Sequence, residues 1–349
     1  MFDALADLDV TVDSYDCTRR ERETSSDFTR VTTVFELHGD GHTGRGEDVI
    51  YDADAHDALH AWDGTFPLAG DYTFAGFSEH LGELELLPDY DPETSAGDAA
   101  YRRWGLESAA LDLALKQAGT NLGERLGRSY DPVRFVVSTR LGEPPTADRV
   151  LAWLDRDPTL AFKLDPVSAW TPELVERLAD TGAVRVLDLK GQYEDTIVDQ
   201  PADPELYERV LAAFPEAVIE DPALTEETRP LFADHEDRVA WDYPIRDVAS
   251  VKALPWEPSW LNVKPSRFGS VADLLATIEH CEERGIRMYG GGQFELDVGR
   301  SHLHALASLF YPDAPNDIAP AGYNDPDPPD GLPSSPLAVP EGLVGMEWG

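Results

Sequence analysis

Three acidic residues, Asp188, Glu220 and Asp242, each end a short apolar run: "VRVLD", "AVIE" and "RVAWD". Lysines end two more runs of the same kind, Lys163 in "LAFK" and Lys264 in "WLNVK", and Lys190 follows Asp188 by two residues. In a parallel barrel the strands are buried on both faces, so a charge at the C-terminal end of an apolar run marks the face where such barrels do chemistry. Three carboxylates brought together in a dry site repel one another unless a cation gathers them. Oxygen-only ligands on rigid strands suit a hard divalent ion, Mg2+ in the first place and Mn2+ as the alternative. The plain alternative for each acid is a cap on the helix that follows it.

Those residues need elements to carry them. After "YDP" near residue 131, short apolar runs alternate with amphipathic stretches of ten to fifteen residues. The runs are "VRFVVST", "LAFKL", "VRVLDL", "AVIE", "RVAWD", "WLNVK" and "IRMYG", and Thr171-Pro172-Glu173 and Asp203-Pro204-Glu205 carry the marks of helix starts. Seven strand–helix units in a row predict a parallel α/β fold, a barrel by preference, with no eighth strand visible and a flat doubly wound sheet still open. Ahead of them, "LDVTVDSYDC" and "FTRVTTVFELHG" predict strands, and "YRRWGLESAALDLALKQAG" predicts a helix ended by Gly119. The charged "TRRERETSSD" between the two strands reads as a loop. From Tyr323 the proline-rich "YNDPDPPDGLPSSP" reads as an extended surface tail. The expected division is an α+β capping domain over 1–130, the barrel over 131–322 and the tail over 323–349.

The chain carries 67 acidic against 28 basic residues, a formal charge of −39, and only five lysines: Lys116, Lys163, Lys190, Lys252 and Lys264. Such a charge disfavours nucleic acid and anionic lipid as partners. Lysine depletion with acid spread along the whole length reads as adaptation to a salt-rich cytosol, where the screening length shrinks to about 3 Å at 1 M. Two distant cysteines give no disulfide framework, no apolar run approaches the ~20 residues of a membrane span, and "MFDALADLDV" has no basic leader. The expectation is a cytoplasmic protein, as a monomer or a homo-oligomer.

"VLDLKG", "VIEDP", "AWDYP" and "NVKPSRFGS", with 32, 22 and 22 residues between Asp188, Glu220, Asp242 and Lys264, resemble the enolase superfamily, in particular its mandelate racemase and muconate-lactonizing branch. "ESAALDLALKQAGTNLGERLG" is similar to that family's helix leading into the barrel. The resemblance implies a modified (β/α) TIM barrel behind an N-terminal α+β capping domain, with Asp188, Glu220 and Asp242 as metal ligands. It implies an isomerase or lyase in which the metal holds a substrate carboxylate and a base removes the proton on the adjacent carbon. Lys163 and Lys264 become the acid/base pair, since arginine stays protonated and cannot release a proton. Both lysines exchanging protons gives epimerisation or racemisation; one acting alone gives dehydration or cycloisomerisation.

This chain departs from the pattern twice. The second strand of the family carries Lys-x-Lys, whereas Phe162-Lys163-Leu164-Asp165 has one lysine, leaving either Ala161 or Asp165 in the other's place. Lys190 stands where the family has asparagine, facing the site with Asp188 because residues two apart on a strand point the same way. Gln293 and Glu295, after three glycines, and Arg19, in the segment 16–27 that in the family closes over the site, are expected to contact substrate or support those that do. A carboxylate-binding descendant without turnover is the alternative outside enzymes. A glycosidase built on Glu220 and Asp242 leaves the lysines unexplained.

Overall fold

The structure, a computed structural model, describes residues 1–25, 28–90, 97–193, 196 and 198–348. Twelve strands occur among them. β1 (Asp9–Val12) pairs antiparallel with β5 (Gly70–Thr73). β2 (Ser14–Glu23), β3 (Thr29–Gly39) and β4 (His42–Asp48) form an antiparallel meander. The remaining seven, β6 (Val137–Thr139), β7 (Phe162–Leu164), β8 (Val184–Asp188), β9 (Val218–Glu220), β10 (Val239–Trp241), β11 (Trp260–Val263) and β12 (Arg287–Gly290), form one parallel sheet.

The order of that sheet decides between the two folds left open by the pattern of runs. A doubly wound sheet reverses direction at a switch point. Here the strands follow one another in chain order from β6 to β12, so the sheet curls continuously in one direction. Its two edges are joined by a short segment: Asn316 makes a parallel bridge to Phe135 and Asp317 one to Gly291. Two residues thus stand where an eighth strand would, too few to leave a signature in hydrophobic pattern. The result is a modified (β/α) barrel behind an N-terminal α+β unit.

The 20-residue helix Asp98–Gln117 packs across the meander. Leu106, Ala109, Ala110, Leu113 and Ala114 are fully buried, as the helical spacing predicted. Contact with β4 is close because glycine lines both sides: a Cβ on Gly46 would lie 2.0 Å from the Gly105 carbonyl oxygen, and one on Gly44 2.2 Å from that of Ala109.

Two expectations are corrected. The charged segment beginning at Asp16 is not a loop: β2 continues to Glu23, with Arg22 opposite Arg30 and Glu23 opposite Thr29. Its charges are tolerated because one face of the strand stays wet while Arg20 and Arg22 reach Asp297 and Asp325, each at 2.7 Å. Ser26 and Asp27, the last of the expected closing segment 16–27, lie outside the described residues. "TEETRPLFADH" holds one 3-10 turn, Arg229–Phe232, with Pro230 in it, and a second, Glu236–Arg238, follows, in place of the expected amphipathic α-helix. The tail is pinned to the rest of the chain: Leu337 bridges Val133, Gly345 bridges Asn121, and Met346 and Trp348 are buried.

Candidate active site

Parallel register lines up the ends of the barrel strands. Asp188 lies directly opposite Glu220, and because Glu220 pairs with Ala240, Asp242 stands two residues beyond it on the next strand. Lys264 follows the last residue of β11, and Lys163 is the middle residue of β7. All five are buried, the carboxylates completely and Lys163 to within 2%.

The carboxylates are bonded to cations rather than to one another. The Lys163 ammonium lies 2.7 Å from Glu220, 3.2 Å from Asp188 and 3.2 Å from Asp317 on the closing segment. Lys190 grips Asp188 with both its backbone N–H, at 3.1 Å, and its ammonium, which reaches towards Asp165 at 4.0 Å. Arg267 donates to Asp242 Oδ1 at 2.6 Å, while Lys264, at 3.0 Å, and the Tyr193 hydroxyl, at 2.7 Å, take Oδ2. The Tyr289 hydroxyl and the Asn262 amide donate to Glu220.

Electrostatics follow from that arrangement. Burial alone pulls the Lys163 ammonium down, but Glu220, Asp188 and Asp317 together outweigh it and hold it well above the usual lysine range. Burial likewise opposes ionisation of Asp242 and Asp188. Arg267 and Lys264 hold Asp242 well below the carboxylate range, and Lys190 and Lys163 lower Asp188. Burial, then Asp188, pushes Glu220 up; yet its partners are an ammonium, an amide and a hydroxyl, all able to donate, which is the surrounding of an ionised, acceptor-only carboxylate. Asp221, donated to by the backbone N–H groups of Asp242 and Tyr243, is pushed up to about 7 by burial and by Asp242. Six acids (Asp165, Asp188, Glu220, Asp221, Asp242, Asp317) share this end of the barrel with four cations (Lys163, Lys190, Lys264, Arg267). Burial first, and then the excess of negative charge, pushes Asp165, Glu220 and Asp221 up.

Backbone strain gathers at the same place. Among the described residues, five non-glycine positions adopt positive φ, and three of them, Lys190 (55°), Asp221 (46°) and Phe294 (56°), lie just beyond barrel strand ends. Phe294 sets its ring edge-to-face on Phe28, from the turn between β2 and β3, with centroids 5.4 Å apart. A small cavity lies beside it, lined by Ser138, Gly292, Phe294, Arg300, Asp317 and Asn324.

The other expected site residues divide. Asp165 lies with Lys190 in the cluster. Gln293 is buried, but its side chain bonds Tyr51 and Tyr101 of the N-terminal unit, at 2.9 and 3.3 Å, which makes it a clasp between the two parts. Glu295 accepts from the Gln293 N–H at 2.7 Å and faces Arg300 at 3.4 Å, with Oε2 and the Arg300 Nε otherwise unpartnered. Arg19 points away from the barrel mouth, to Asp57 and Glu21. Sequence reasoning missed Arg267, Tyr193, Tyr289, Asn262 and Asp317. Asn262 could have been found, standing two residues before Lys264 on one strand face; Asp317 offers no such signal.

The three carboxylates do not form a metal cage as arranged. Each of their six oxygens already carries a donor. Among the described residues no group of three histidine, cysteine, aspartate or glutamate side chains is disposed to hold a metal ion. The donor chemistry suits a hard cation; the positions around it are taken by amines.

Residues 129–325 match the C-terminal domain model, and residues 3–125 the N-terminal domain model, of the family described as a domain of unknown function, DUF8230; the chain belongs to that family. It is similar to an o-succinylbenzoate synthase of Bacillus subtilis, 24% identical over 222 residues, covering 62% of this chain and 58% of that relative, so under two thirds of the relative's length is matched. Among solved structures it is similar to a mandelate racemase/muconate lactonizing protein from Herpetosiphon aurantiacus (TM-score 0.70, 18% identity, 97% of each chain covered). A dipeptide epimerase from Methylococcus capsulatus, solved in complex with Mg ion, gives TM-score 0.66 at 20% identity, covering 86% of this chain and 88% of that one. The fold is the one seen in these enolase-superfamily structures.

Proposed function

We propose that this member of the DUF8230 family binds a small carboxylic acid at the open end of its barrel and removes the proton on the carbon beside the carboxylate. Lys264 is the base. The C–H electron pair moves into the carboxylate, and the resulting enolate, with two negative oxygens, needs concentrated positive charge that water cannot supply as well as a fixed site can. The observation that carries this reading is the convergence of Lys264, Lys163, Lys190 and Arg267 on Asp188, Glu220 and Asp242 at adjacent strand ends.

The two amines expected to act as acid and base are not equivalent. Lys163 spends its three N–H donors on three carboxylates and stays charged, whereas Lys264 makes one ion pair, with an Asp242 already served by Arg267. A single base favours a lyase or cycloisomerase outcome over racemisation. Mg2+ at Asp188, Glu220 and Asp242, as the resemblance implies, would have to displace Lys163 and Lys190. The charge of −39 supports a salt-rich cytoplasm as the working environment.

A second reading, a carboxylate-binding protein without turnover, draws support from Lys163 being fully engaged and from the missing partner lysine of β7. Incubating carboxylic acids and dipeptides with the protein in deuterated, KCl-rich buffer separates the two. Incorporation of deuterium beside the carboxylate, abolished in Lys264→Ala, supports the enzyme. Incorporation that persists in Lys264→Ala removes Lys264 from its role, and binding without incorporation favours the second reading.

A further inference from the structure

We infer that Lys163 is the resident cation of this barrel: its ammonium serves in place of a divalent ion, so the carboxylate cluster works without metal. The inference takes the cluster to be the reactive centre, as proposed above. An ammonium has three donors, and Lys163 aims them at Glu220, Asp188 and Asp317, at 2.7, 3.2 and 3.2 Å. Asp317 belongs to the segment that closes the barrel, and it anchors the amine from the side opposite the other two strands.

The neighbours act in the same sense. Lys190, where the family pattern has a neutral asparagine, adds a second ammonium on Asp188 and reaches towards Asp165 at 4.0 Å. Arg267 and Lys264 complete Asp242, and Tyr289 and Asn262 complete Glu220. A divalent ion entering here would meet three fixed positive charges, Lys163, Lys190 and Arg267, within a few ångströms and would have to strip every carboxylate of its donors. A tethered ammonium also carries no entropy of capture. In concentrated potassium salt it cannot be washed out or exchanged, as a weakly held ion can.

Mn2+ binding to the full chain tests this, followed by electron paramagnetic resonance of the free ion in KCl with EDTA-treated protein. The expected result is no stoichiometric binding to the wild type at millimolar Mn2+, and binding in Lys163→Met tighter by on the order of 100-fold, because the competing charge is gone from the carboxylates. Lys163→Arg, which keeps the charge, is expected to stay silent. One Mn2+ bound per wild-type chain overturns the inference, whether or not Lys163→Met folds; so does a folded Lys163→Met with no gain. Deuterium incorporation measured in EDTA separates this from the proposed function. Exchange lost in EDTA and restored by Mg2+ ends the inference and leaves Lys264 as base. Absence of exchange with any acid ends the enzyme reading, while the Mn2+ result still decides on the cation.

Discussion

Glu47 offers the sharpest test of how the N-terminal unit holds the barrel mouth. It is the penultimate residue of β4, is 1% exposed, and accepts four hydrogen bonds: Thr32 Oγ1 and the Leu296 N–H at 2.7 Å each on Oε1, and the Asp297 and Gly299 N–H groups at 3.0 and 2.8 Å on Oε2. The last three amides open the helix Val298–Phe310, whose first turns carry Arg300 and follow Glu295. An ionised carboxylate is favoured there by the unpaired N–H groups and the positive end of the helix dipole, although burial pushes its carboxyl up. Glu47→Gln keeps the shape and turns one oxygen into an NH2 that faces two N–H donors. Two hydrogen bonds to a charged acceptor are lost, at about 1.5 kcal/mol each at the low end, with about 0.5 kcal/mol of helix-end attraction. Relief from burying a charge returns part of this, so we expect a net loss of about 2–3 kcal/mol. Urea unfolding in constant KCl measures it, and amide hydrogen exchange at Leu296, Asp297 and Gly299 should quicken in the variant. A loss below about 1 kcal/mol with unchanged exchange would mean that Glu47 is held protonated, and that the charge-to-helix reasoning is wrong.

The buried histidines set an acid limit on stability. Burial pushes His302 and His304 down to about 4, and His302 has neither ring nitrogen partnered. Both are neutral when folded, so their contribution is complete above the ordinary histidine range near 6.5 and is lost as pH falls towards 4. The loss is up to ~3 kcal/mol apiece. His302→Leu should flatten that part of the pH–stability curve relative to the wild type; parallel curves would contradict it. Gly46→Ala should cost about 2–3 kcal/mol, since its Cβ meets helix backbone at 2.0 Å that has nowhere to retreat. Thermal or urea unfolding reads this directly, and a neutral result would show that the helix–strand contact is looser than described.

Much of the site was legible because its carriers are simple. A strand buried on both faces has no reason to end in a charge, so Asp188, Glu220, Asp242, Lys163 and Lys264 stood out against their apolar runs. Chain-order winding then had to bring those ends together. What stayed hidden were contacts set by the third dimension. Asp317 reaches Lys163 only because a two-residue segment closes the barrel. Tyr193 and Tyr289 belong to the cluster because their loops and strands turn inward. Arg19 was misplaced because the strand pairing of β2, invisible in so charged a stretch, turns it towards Asp57.

By itself, then, the sequence specified which side chains sit at the strand ends and in what order, since alternating apolar runs and helices of these lengths fold in few ways. Only the tertiary structure decided what each carboxylate oxygen touches, because partner choice depends on register, closure and burial. Here those set the amines of Lys163, Lys190 and Lys264 and the guanidinium of Arg267 against the carboxylates at adjacent strand ends.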